Sequence, residues 1–97
     1  MLLATGGPAD MGEIGQAGRG GRVKVLMFPL DHNPPHFHGR LANGSMVQVA
    51  IDTGDLMAGT WPPAQLGELE EWRASRVQQL RDAWAIAVAG EIPPVIP

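Results

Sequence analysis

The chain has no cysteine at all. That excludes disulfides, zinc–thiolate centres and thiol nucleophiles, and it fits a reducing compartment. Basic residues are also few, with seven Lys and Arg against ten Asp and Glu and a net charge of −3 over 97 residues. Binding nucleic acid through bulk charge needs clustered Lys and Arg, so this composition argues against that class. No apolar run approaches the roughly 18 residues that cross a bilayer. The N-terminus carries no basic patch ahead of an apolar core, so it does not read as a secretory signal. The expectation is a cytoplasmic protein without a membrane anchor.

What is present suffices for one small domain. Apolar residues make up 44% of the chain, too many for disorder throughout. Residues 1–21 hold seven glycines and one proline. Ordering such a stretch costs much backbone entropy and buries little in return. It reads as a glycine-rich N-terminal arm, with Met11 an alternative start, and residues 22–97 read as a single α+β domain.

The run VKVLMFPL at 23–30 has the length and β-branched content of a strand. HFHGRL at 36–41 and SMVQVAI at 45–51 alternate in polarity and read as two more. The loop between them sets which face the histidines occupy. A two-residue Asn43-Gly44 loop would mix polar and aliphatic side chains on one face. A three-residue loop of Ala42, Asn43 and a left-handed Gly44 sorts them, with Phe37, Val47 and Val49 on one side. His36, His38, Arg40, Gln48 and Met46 then share the other.

Asp52-Thr53-Gly54-Asp55 reads as a turn, and residues 56–58 as a short edge strand. Thr60 is the expected N-cap, before Pro62 and Pro63. Leu66, Leu69, Trp72, Val77, Leu80, Trp84 and Val88 recur at near-helical spacing, and Gly90 suits a C-cap. The spacing predicts a helix over 62–89, roughly 40 Å long, with a kink or an overhang needed to fit so small a sheet. Its charged residues, Glu68, Glu70, Glu71, Arg73, Arg76, Arg81 and Asp82, read as a solvated face. Trp84 is assigned to the core, and Trp72 either to the core or to a partner contact. The expected fold is an antiparallel sheet of three to four strands covered on one face by a long C-terminal helix.

Residues 31–38, DHNPPHFH, hold all three histidines of the chain. Three readings stand open. As a metal site, His36 and His38 project from one strand face, and Asp31 or His32 supplies a further ligand; two imidazoles and a carboxylate suit zinc or iron. As an acid–base site, His36 and His38 move a proton beside Arg40, which holds a phosphate. As a structural corner, Asp31 caps the turn and the prolines stiffen it.

The segment 31–38, the apolar strand before it, the IDTG turn, the tryptophan spacing on the helix and the closing GEIPPVIP together resemble one family of small bacterial proteins, domain of unknown function 4160. The resemblance spans about residues 11–97, and Met11-Gly12-Glu13-Ile14 resembles the usual start of its members. It implies a small antiparallel sheet with a long C-terminal helix and no established activity. Members are often encoded beside another small protein, which implies a toxin–antitoxin-like module. The first expectation is therefore an interaction protein that binds a small protein partner or a second copy of itself. The alternative is a small metal-dependent or histidine-based enzyme, an RNA-cleaving one or another hydrolase, acting through His36, His38 and Arg40.

Overall fold

The computed structural model describes residues 12–29 and 33–97. Five strands, β1 (Glu13–Ala17), β2 (Val23–Leu26), β3 (His36–Arg40), β4 (Met46–Ala50) and β5 (Leu56–Ala58), precede two helices, α1 (Pro63–Ala74) and α2 (Val77–Val88). The strands form one antiparallel sheet in sequence order. The α+β class holds, with five strands in place of three or four.

The additional strand comes from the segment read as an arm. Glu13–Ala17 pairs with β2 through a bulge between Glu13 and Gly15. Its glycine content reflects close packing, because a Cβ on Gly15 would lie 2.7 Å from the Trp72 indole. Residues 1–11 lie outside the described residues.

The hairpin between β3 and β4 has the three-residue loop. Phe37 pairs with Val49 and His38 with Gln48, the Leu41 amide donates to the Ser45 carbonyl at 3.0 Å, and Gly44 has φ +90°. Phe37, Val47, Val49, Val23 and Val25 are buried on the core side, with Leu69 and Trp72 from α1 and Leu80, Ala83, Trp84 and Ala87 from α2. Burying a side chain the size of Phe37 contributes about 1.5–3 kcal/mol.

One long helix is replaced by two of 12 residues each, about 18 Å apiece. The break falls at Ser75 (φ −95°, ψ 4°) and Arg76 (φ −134°, ψ 22°). Arg76 stabilises it: its Nη1 donates to the Trp72 carbonyl at 3.0 Å and its guanidinium lies 4.9 Å from the Trp72 ring centroid. A straight helix would overrun the sheet, whereas two short ones both stay on it. At the start of α1 the cap is Pro62 and not Thr60, and no side chain caps it. Two prolines leave few N–H groups there to satisfy. Gly90 closes α2, with Glu91 N–H reaching the Ile86 carbonyl and Gly90 N–H the Ala87 carbonyl, the paired bonds of a Schellman end. The tail then returns to β1, where the Ile96 amide donates to the Ile14 carbonyl at 2.6 Å.

Arg73 departs from the solvated face expected of it. It is 7% exposed. Its Nε and Nη2 donate to both Glu70 carboxylate oxygens at 2.8 and 2.7 Å, and its Nη1 donates to the Ile51 carbonyl at 2.8 Å. One guanidinium thus ties α1 to the end of β4. These hydrogen bonds hold the Glu70 carboxyl below its usual 4.5, outweighing desolvation. A carboxyl with a lowered folded pKa stabilises the fold above its unfolded pKa and loses that contribution as pH falls through the folded one. Glu70 is 50% exposed, so the effect stays under about 1 kcal/mol. In urea titrations, stability of the wild type should fall more steeply than that of Glu70→Gln as the pH drops below the ordinary carboxylate range. Parallel curves would mean the pair is not formed in solution.

Candidate functional site

Alternation along β3 turns His36, His38 and Arg40 away from the core. The opposing register puts Ala50, Gln48 and Met46 beside them from β4, and Leu26 and Lys24 beside His38 and Arg40 from β2. This face is not uniformly solvated. His36 is 4% and His38 9% exposed. The two imidazoles meet at 5.2 Å between centroids, edge to face; Phe28 stands at 4.9 Å from His38, and Trp84 of α2 at 5.3 Å from His36. Four rings thus form a row across the end of the sheet. Arg81 of α2 holds the same end by an ion pair with Asp52 at 2.7 Å.

The corner before β3 orients the first imidazole. The Asn33–Pro34 peptide is cis, and His36 Nδ1 lies 2.8 Å from the Pro34 carbonyl oxygen. A carbonyl only accepts, so Nδ1 carries the proton, and in the neutral ring Nε2 keeps the lone pair. Histidines that ligate metals or accept protons are commonly oriented by such a bond. The Pro35 carbonyl accepts from the Ile51 amide at 3.1 Å, which fastens the corner to the end of β4.

Of the expected site residues, the structure brings His36 and His38 together and places Arg40 at the far end of the same strand face. Asp31 and His32 lie outside the described residues. Among the described residues no group of three His, Asp or Glu is arranged to hold a metal ion. Phe28, Trp84 and Lys24 were not singled out from the sequence as neighbours of this face. Phe28 and Lys24 could have been, because they continue the even-numbered alternation of β2. Trp84 could not, because its approach depends on the helix break.

The sheet has a second distinctive feature at its edge. β5 is an outer strand, with Leu56 45% and Met57 38% exposed. Beside it a mainly apolar pocket of about 320 Å³ opens between β5 and α1, lined by Val49, Leu56, Leu66 and Leu69, with Glu70 at its border. Among the described residues no helix is long and apolar enough to cross a membrane.

Residues 23–85 match the family model described as a domain of unknown function (DUF4160), and the chain belongs to that family. The matched span runs from β2 into α2 and contains both the histidine face and the β5 edge. No match is found to any curated protein or to any solved structure.

Gly39, between His38 and Arg40, sets how closely the far side of this strand is packed. A Cβ there would lie 2.6 Å from the Trp61 ring and 3.0 Å from Leu69. Trp61 is itself tied down, its Nε1 donating to the Ser45 carbonyl at 3.2 Å. Gly39→Val should cost about 1–3 kcal/mol through overpacking, read as a lowered urea midpoint. An unchanged midpoint would mean that Trp61 does not close over β3.

Proposed function

We propose that this protein acts by binding a small protein partner, as one component of a two-protein, toxin–antitoxin-like module. The observation that carries this reading is the unpaired β5 edge with its exposed Leu56 and Met57 and the apolar pocket beside it. An outer strand offers a row of free N–H and C=O groups, and natural sheets usually protect such rows. At β1 the C-terminal tail does so, through the Ile96–Ile14 bond. At β5 nothing among the described residues does. An extended partner segment would add a sixth strand by main-chain hydrogen bonds and set an apolar side chain into the pocket. Family resemblance supplies the expectation that the partner is encoded next door, and a second copy of the chain is the competing occupant.

The test is co-purification of the neighbouring gene's product with the full chain. Leu56→Lys, which puts a charge on the edge, should reduce recovery at least about tenfold, as for loss of a buried apolar contact. His36→Ala with His38→Ala should leave recovery unchanged. Full recovery with Leu56→Lys would sink the proposal, and a purely homodimeric wild type would replace the partner with a second copy.

A second reading, a small enzyme with zinc or iron or with histidine acid–base chemistry, is favoured by the Pro34 carbonyl bond that fixes the orientation of the His36 ring. In it His36 and His38 are the ligands or proton carriers, Asp31 and His32 the further ligands, and Arg40 the anion contact. Elemental mass spectrometry of untagged protein purified without chelator decides the metal form. Near-stoichiometric zinc or iron that disappears in the double alanine variant supports it, and absence of metal from both proteins removes it.

A further inference from the structure

Arg40 stands directly across from Lys24 in the β2–β3 ladder. Like charges opposite one another on a sheet face repel and destabilise the pairing. Among the described residues their carboxylate partners number one between them, and it is loosely held. Lys24 reaches Glu13 only at 4.0 Å, and among the described residues no carboxylate pairs with Arg40, which is half-buried. Arg22 joins them, its own contact with Glu68 being 3.7 Å. The three side chains line one groove of about 490 Å³ that has no acidic residue in its lining. So three of the seven basic residues of a chain with net charge −3 converge on a single concave surface.

From this we infer an anion-binding site that takes the phosphoryl group of a phosphate ester. A guanidinium offers paired N–H donors that match two phosphate oxygens, and an ammonium adds a compact charge. A phosphate monoester carries about −1.5 to −2 charges at neutral pH, a better match than a carboxylate for three cations of which two hold only long ion pairs, at 3.7 and 4.0 Å, and one holds none among the described residues. The groove is open enough to admit it, since a Cβ on Gly20 or Gly44, both in its lining, would meet nothing within 4 Å. His38 stands two residues from Arg40 on the same strand face, so the ester carbon side of such a ligand would extend toward the imidazole row. This site is independent of the β5 edge and holds whether or not a protein partner binds there.

The experiment is a titration of the full chain, followed by ¹H–¹⁵N correlation spectra at constant ionic strength set with sodium chloride. The probes are inorganic phosphate, 5′-AMP and a single-stranded RNA octamer. Saturable shifts at Lys24, Arg40 and Gly44 are expected. They should weaken about tenfold in Arg40→Gln, the loss of one charge-assisted contact, and stay unchanged in Arg81→Gln. In chloride alone Arg40→Gln should melt no lower than the wild type, because it relieves a repulsion. Should that variant fail to fold, Lys24→Gln gives the same reading. Tighter binding of the octamer, with a log–log salt slope near about −2 for three contacts, would place the phosphoryl group in a nucleic-acid backbone. Equal or tighter binding of phosphate and 5′-AMP would place it in a small ester. Shifts that do not saturate with any probe, or that survive both Arg40→Gln and Lys24→Gln, overturn the inference.

Discussion

A left-handed glycine decides on which side of the sheet the histidines stand. Gly44 at φ +90° completes a three-residue loop that pairs Leu41 with Ser45, and Asn43 Oδ1 supports it by accepting from the Ser45 amide at 2.9 Å. From that point the ladder counts back without interruption to His36 opposite Ala50. Side chains alternate faces with a period of two, so a slip of one residue would bring His36, His38 and Arg40 into the core and expel Phe37. The core, the imidazole row and the Lys24–Arg40 pair all depend on this one register. A side chain at position 44 would have to adopt a backbone region that costs non-glycine residues energy.

The helices convert that flat, two-faced sheet into an asymmetric one. α1 covers the core face and is fastened to β4 by Arg73. The turn at Ser75 and Arg76 then directs α2 to the end of the sheet, where Trp84 meets His36 and Arg81 meets Asp52. The Trp84 contact with His36 is thus a consequence of where the helix breaks. The two sheet edges differ for a related reason. After α2 the chain turns at Gly90 and its tail lies along β1, protecting that edge, whereas β5 leads straight into α1 and among the described residues no strand pairs with its outer side.

Much of this was legible in the residues. Period-two alternation gave the hairpin faces, and the requirement that Phe37, Val47 and Val49 share a side selected the correct loop length. The turn at 52–55, the edge strand at 56–58 and the stop at Gly90 followed from local signals. Three things were not legible. β1 was hidden because glycine content indicates entropy cost but cannot report a tryptophan ring packed against Gly15. A kink or an overhang was expected in the helix, but the place of the break was hidden because Leu69 and Leu80 are eleven residues apart, three full turns, so the apolar spacing reads through Ser75 without interruption. Arg73 was hidden because its partner, the Ile51 carbonyl, is a backbone group 22 positions away. In each case a tertiary contact outweighed a local preference.

Charge shows the same limit from the other direction. A net charge of −3 describes the chain as a whole. It averages over position, however, and antiparallel pairing redistributes charge without changing the total. Lys24 and Arg40 are 16 residues apart in sequence and directly opposed in the sheet, while most of the acids sit on the helices and in the turn at 52–55. The same five-residue strand therefore runs from an imidazole packed between rings at His36 to a half-buried guanidinium at Arg40. A single β-strand whose ends differ in this way carries two imidazoles and a guanidinium on one face. That face is a property of the fold, and the residue counts alone do not contain it.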